Sequence, residues 1–175
     1  CYTLEYGEYK IKNEALMETH LDAVKILMDK LLELKIVNSL EEIDGIGHRI
    51  VHGGAIYKES VVVTDKVLDD IIALSDLAPL HNPAHAMCIK AFREVLPNTP
   101  MVVVFDTAFH QTIEKDRFLY PVPYNWYTDY QVRKYGAHGT SHRYVAKKLQ
   151  EELGRDDLNI ISCHLGNGGS ITAIS

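Results

Sequence analysis

Packing alone does not ask for glycine beside charge, yet several segments of this chain pair the two. In Gly45-Ile-Gly-His-Arg-Ile-Val-His-Gly-Gly54, Arg49 stands among small residues and two histidines. Its planar, two-pronged donor set suits a carboxylate or a phosphate, and the glycines let a ligand approach closely. A surface ion pair is the ordinary alternative. Leu80-His81-Asn82-Pro83 leads into a helix N-terminus, where free amides and the helix dipole favour an anion. The plainer reading is that Asn82 caps the helix and His81 bonds locally. Asp106 follows directly on the apolar run Met101–Phe105. A carboxylate beyond the carboxyl end of a buried strand is a natural metal-water ligand or proton acceptor. The alternative is an ordinary turn Asp, but a charge beside so apolar a run needs a reason.

Gly136-Ala-His138-Gly139-Thr140-Ser141-His142 and His164-Leu165-Gly166-Asn167-Gly168-Gly169-Ser170 complete the set. The latter lacks the Lys-Ser/Thr ending and the following helix of a Walker loop. A glycine-rich hairpin can nonetheless turn successive backbone N–H groups toward a phosphate. A competing pattern runs through the same segments. His48/His52, His81/His85 and His138/His142 all have the HxxxH spacing of two zinc ligands on one helical turn. None carries the Glu of HExxH, one is interrupted by Asn-Pro, and one lies on an expected strand.

The elements that must position these groups are readable from periodicity. Met17, Leu21, Val24, Leu27, Met28, Leu31 and Leu34 recur at helical steps. The run between Gly45 and Gly54 and the run Val61–Thr64 read as short strands, with a short helix beginning near Val67. Asn82-Pro83 reads as a cap residue and a first-turn proline, opening a helix that ends before Pro97. Met101–Phe105 is apolar at every position, as expected of a strand buried on both faces in a parallel sheet. Residues 120–135 read as mainly irregular. Thr140 or Ser141 is expected to cap a helix running to Gly154, with Tyr144, Val145, Leu149 and Leu153 inward. Two strands around Leu-Gly-Asn-Gly-Gly signal a hairpin. The fold class is α/β.

The chain has 175 residues, 18 Lys+Arg against 24 Asp+Glu, and a net charge of −6. That acidic balance argues against a nucleic-acid binder. No run approaches the length of a membrane span, and no secretory signal opens the chain. Cys1, Cys88 and Cys163 are odd in number and form no CxxC, so they read as reduced thiols in a cytosolic protein. The chain opens on Cys1 already inside an apparent element and stops on the alternating run Ile171–Ser175. It reads as a fragment of a longer chain.

Together, Gly47–Gly54, Ala78–His85, Phe105–Gln111, Tyr135–His142 and Ser162–Ser170 resemble the acetate kinase family in order and spacing along nearly the whole chain. The resemblance implies a ribonuclease-H-like fold of the actin/Hsp70/sugar kinase superfamily, with most of a first domain (1–110) and the start of a nucleotide-binding second domain (111–175). It implies reversible, ATP-dependent phosphorylation of acetate to acetyl phosphate plus ADP, with Mg²⁺, in a cytoplasmic homodimer. A propionate or butyrate kinase is the related alternative, and a zinc hydrolase using the HxxxH pairs the alternative of another class. By motif, Arg49 matches the arginine that binds the carboxylate, Asp106 the active-site aspartate, and His138 the histidine that steadies the transferred phosphoryl group. His81 lies in the family's site, and Val51 and Leu80 match walls of its methyl pocket. His164, Leu165, Gly166, Asn167 and Gly168 match a segment that binds nucleotide phosphates. Ala137 stands where many members carry Phe, at the edge of the acyl pocket. The family's phosphate loop, a later arginine, the adenine site and the magnesium ligands have no counterpart here. No metal ligand is therefore expected among these residues, and the isolated fragment is expected to be inactive.

Overall fold

The computed structural model describes residues 1–175, which form two compact units. One comprises Cys1–Ile46 and Ala86–Pro100, the other Gly47–His85 and Met101–Ser175.

In the first unit, β1 (Tyr2–Tyr6) and β2 (Tyr9–Asn13) pair antiparallel, with Gly7 at φ +56° in the turn. Helix α1 (His20–Glu33) starts where Thr19 and Asp22 cap one another. The Asp22 amide donates to the Thr19 hydroxyl at 3.2 Å, and the Thr19 amide donates to the Asp22 carboxylate at 2.9 Å. Most of the expected apolar stripe is present, with Val24 and Met28 buried together with Ala91 and Leu96, whereas Leu27 is exposed and Met17 precedes the helix. Leu21, Leu31, Phe92 and Val95 pack around them. Each large apolar side chain fully buried in this way stabilises by about 1.5–3 kcal/mol.

The second unit is built on a three-stranded sheet. Strands β3 (Ile46–Ile50), β4 (Val61–Val62) and β5 (Met101–Phe105) lie in the order β3-β5-β4. The Ile46 amide donates to Pro100 O and the Asp106 amide to Ile50 O. The two chains therefore advance together, and β3 and β5 are parallel. Strand β4 is antiparallel to β5. The sheet is thus mixed rather than wholly parallel. Nor is β5 buried on both faces. Met101, Val103 and Phe105 are buried while Val102 is exposed, because alternate side chains point to opposite faces and one face is covered.

Helix α2 (Asp65–Ala73) is capped by the Thr64 hydroxyl, which accepts from the Val67 amide. Helix α3 (Asn82–Val95) follows, its first residues in this unit and Ala86–Val95 in the first. Asn82 opens it, but its side chain does not cap it. Fully buried, the Asn82 amide group donates to His52 O and Ile71 O and accepts from the His52 backbone amide. It ties the end of β3 to α2. Residues 120–135, expected to be irregular, include the short helix α5 (Asn125–Tyr130), which follows α4 (Lys115–Phe118).

Helix α6 (Gly139–Leu153) ends at Gly154, φ +62°. Its cap residue is His138, at φ +54°, rather than Thr140 or Ser141. The stripe expected inward faces outward: Tyr144 is 62% exposed, and Val145, Leu149 and Leu153 are also exposed. Gly139, His142 and Ala146 are buried instead, because small and imidazole side chains let α6 approach its neighbours closely. β6 (Ile160–Leu165) and β7 (Gly169–Ile174) form the expected hairpin, with His164 opposite Ser170.

Candidate active site

Arg49 leaves β3 on its exposed face, and Asp106 follows the last residue of the neighbouring strand β5. Parallel pairing brings the two side by side. Arg49 Nε donates to Asp106 Oδ1 at 3.1 Å, and Arg49 Nη2 to Oδ2 at 2.6 Å. The pair is unequal. The Asp106 side chain is 3% exposed and that of Arg49 60%. The carboxylate holds the Arg49 guanidinium above its ordinary range, chiefly through their hydrogen bonds. A carboxylate so buried requires such partners, and the Thr140 hydroxyl supplies another at 3.2 Å. The Arg49 side chain stays largely exposed, and a guanidinium has further N–H groups to offer an anion.

The N-terminus of α6 is anchored to the same turn. The Gly139 amide donates to Asp106 O at 2.9 Å. A Cβ at Gly139 would sit 2.2 Å from that carbonyl oxygen, so no other residue fits without moving the backbone. This contact fixes His138 one residue earlier. Its ring stacks on His164 with centroids 4.1 Å apart and planes 15° from parallel. His138 Nδ1 pairs with the Ser170 hydroxyl at 2.8 Å, and His164 Nδ1 with the Ser141 hydroxyl at 2.9 Å. Desolvation, then the neighbouring His164, push His138 below the ordinary imidazole value, and Arg49 adds to this while Asp106 opposes it. His138 is therefore neutral near pH 7.

These residues surround a cleft of about 510 Å³ lined by Arg49, His138, Thr140, Ser141, Tyr144, His164, Asn167 and Gly168. A Cβ on Gly168 would come to 3.4 Å from His138 Nε2, an ordinary contact distance, so the hairpin lies directly against the ring. The donors are cationic or neutral N–H groups and hydroxyls, a set that suits phosphate oxygens and carboxylates.

Of the residues singled out from sequence, Arg49, Asp106, His138, His164, Asn167 and Gly168 meet here. Leu165 and Gly166 are exposed on the hairpin. Val51, Leu80 and His81 do not line this cleft. Leu80 is 87% exposed, the His81 ring lies 6.3 Å from that of His85, and His85 Nδ1 accepts from the Val51 amide at 3.4 Å. Ser162 and Ser170, and Thr140, Ser141 and His142, which the sequence suggests only as caps or a zinc ligand, hold the named side chains in place. Their signal was present, since each lies inside one of the glycine-bearing motifs.

Two of the HxxxH pairs lack the geometry of paired ligands on one helical turn. His48 lies on a strand rather than a helix, and His142 has both ring nitrogens bonded to Ser162 and Ser170. No group of three metal-binding side chains converges anywhere in the structure. No helix is long and apolar enough to cross a membrane.

Known proteins resemble this chain along almost its whole length. A family model described as the acetokinase family matches residues 2–175. An acetate kinase of Anoxybacillus flavithermus is 58% identical over 167 residues, covering 94% of this chain and 42% of the relative. One from Enterococcus faecalis is 55% identical over 177 residues, covering 99% and 45%. Among solved structures, the acetate kinase of Porphyromonas gingivalis superposes with a TM-score of 0.90 at 42% identity, over 95% of this chain and 43% of that one. A propionate kinase of Francisella tularensis gives 0.91 at 44% identity, over 97% and 44%. The chain thus spans less than half the length of the relatives it matches.

Proposed function

The chain belongs to the acetokinase family, and from that membership we propose that it serves the reversible, ATP-dependent phosphorylation of acetate to acetyl phosphate. Its α/β fold is that of the family, in the actin/Hsp70/sugar kinase class. The observation that carries the proposal is the convergence of Arg49, His138, His164 and the glycine hairpin on one cleft.

In this reading an acetate oxygen attacks the γ-phosphorus of ATP. A new P–O bond forms, the bond to the β-phosphate oxygen breaks, and its electron pair leaves with ADP. Acetate is already ionised at neutral pH, so no base is needed to activate it. Asp106 instead orients Arg49, whose free N–H groups hold the carboxylate in line. Neutral His138 donates a hydrogen bond to the phosphoryl oxygens as their charge redistributes. The hairpin residues His164, Leu165, Gly166, Asn167 and Gly168 follow the nucleotide phosphates. Val51, Leu80 and His81 belong to the acyl side of the site.

Magnesium commonly keeps several waters and takes one or two carboxylates plus substrate phosphates. Asp106 would be the carboxylate of that set, reaching the ion only through its water shell, since both its oxygens are already held by Arg49 and Thr140. The ion would neutralise phosphate charge there. A cytoplasmic homodimer, divided into domains near residue 110, completes the proposal.

The test is ATP-dependent trapping of acyl phosphate by hydroxylamine, using the full-length natural chain with acetate, propionate and butyrate. Acetate is expected to be the best acceptor. A preference for propionate would point to the alternative that the Francisella likeness and Ala137 keep in view. Asp106→Asn is expected to lower turnover about a hundredfold or more. Near-normal turnover in that variant would remove Asp106 from the mechanism altogether.

A further inference from the structure

Behind His138 runs a chain of hydrogen bonds that leads away from the cleft. Ser170 Oγ lies 2.8 Å from His138 Nδ1 and also 2.8 Å from His142 Nε2. His142 Nδ1 lies 2.9 Å from Ser162 Oγ. His142 and Ser162 are buried, His142 almost completely. Burial, and then the neighbouring His110 and His164, push His142 below its ordinary value, so it too is neutral near pH 7.

A neutral imidazole has one N–H and one lone pair, and a hydroxyl has a single hydrogen to donate. In a chain of such groups every hydrogen must point the same way. The chain consequently has two polarities. In one, Ser162 donates to His142, His142 Nε2–H donates to Ser170, and Ser170 donates to His138 Nδ1. The hydrogen of His138 then resides on Nε2, the nitrogen on the Gly168 side of the cleft. In the other polarity His138 Nε2 carries a lone pair. A phosphoryl group presents mainly ionised oxygens, which only accept, so an anion in the cleft favours the first polarity.

We propose that Ser162, His142 and Ser170 are positioning residues that hold His138 as its Nε2–H tautomer, a neutral donor aimed at a phosphoryl oxygen. The proposal rests on the kinase reading above and assigns that reading its supporting residues. It explains why serine hydroxyls, rather than backbone carbonyls, face His142. A carbonyl can only accept and would hold its partner nitrogen in one state, as Ala137 O does for His110 Nε2 at 3.0 Å. A hydroxyl transmits whichever polarity its other partner imposes. The His164 ring stacked on His138 fixes the plane of the donor.

The test is ¹⁵N NMR of the full-length natural chain carrying labelled histidine, with inorganic phosphate as the probe and His138 assigned by loss of its signals in His138→Gln. With phosphate, Nε2 is expected to show the shift of a protonated nitrogen and Nδ1 that of an unprotonated one. Ser170→Ala should mix the two tautomers, and Ser162→Ala, one ring further away, should do so less. Ser170→Thr keeps the hydroxyl and should restore the wild-type pattern. In the same series, kcat should fall about tenfold or more in Ser170→Ala, with KM for acetate within about twofold. A wild-type His138 protonated on Nδ1 in the presence of phosphate overturns the proposal without any variant. So does a Ser170→Ala chain with an undisturbed Nε2–H tautomer. A wild-type chain with the expected tautomer that forms no acyl phosphate supports the relay and sinks the kinase reading instead.

Discussion

Residues 1–46 and 86–100 bury apolar side chains such as Val24, Met28, Ile89 and Leu96, and their charged groups stay outside. The unit formed by residues 47–85 and 101–175 differs. It also buries Asn82, Asp106, Thr107, His110, Arg133, His142 and Ser162. A polar group taken out of water costs free energy unless its hydrogen bonds are replaced. The second unit replaces many of them with specific partners. Asn82 reaches the backbone on both sides of it, Asp106 reaches Arg49 and Thr140, and His142 reaches two serines. The contrast separates two ways of holding a chain together. Apolar packing is tolerant and carries no chemistry, whereas the satisfied polar network is exacting and presents Arg49 and His138 in one orientation.

That contrast can be broken most sharply at Gly139. Gly139→Ala must push the α6 start away from Asp106, so it is expected to cost about 3 kcal/mol or more and to abolish acyl phosphate formation. Urea unfolding and the hydroxylamine assay measure both effects. Met28→Ala should cost a similar or slightly smaller amount, about 2–3 kcal/mol, while leaving turnover per folded molecule unchanged. If Met28→Ala lowered kcat as Gly139→Ala does, the division between the two kinds of unit would fail. Thr19→Ala removes the cap of α1 and should cost about 1 kcal/mol, again without a change in turnover.

The mildest perturbation removes no atom. His48, His52, His85, His138 and His142 all belong to the second unit, and in each burial is the first cause of a lowered value. The unfolded chain therefore binds protons near pH 6.5 that the folded chain refuses. Stability is full above that pH and falls as pH drops through it toward the lower folded values. Around His138 the facing groups are His164, Asp106, Arg49 and His110, and Asp106 alone opposes the trend. The urea midpoint should decline between pH 7.5 and 5.5, and amide exchange should quicken in residues 47–85 and 101–175 first. A decline led by residues 1–46 would contradict the comparison.

Much of this was open to a reader of residues alone. The α1 stripe was legible because a period of 3.6 repeats over several turns, and the hairpin because glycines sit between two alternating runs. The motifs around Arg49, His138 and His164 were legible because glycine beside charge has no packing reason, and Asp106 because a charge follows directly on an apolar run. Helix α6 was found but rotated in error. Its period marks Tyr144, Val145, Leu149 and Leu153 as one face, yet the face that is buried holds Gly139, His142 and Ala146. Strand β5 failed similarly, because an unbroken apolar run records what could be covered and not what is.

Residue types and spacing thus pointed to the candidate side chains and to the family the chain resembles, since both depend on local order along the chain. Tertiary structure decided the partners. That Arg49 meets Asp106 across 57 residues, or that Ser162 and Ser170 bracket His142, follows from which strands pair and how closely a glycine lets a helix approach. Such contacts have no signature in local periodicity, because they depend on distances that exist only once the chain has closed on itself.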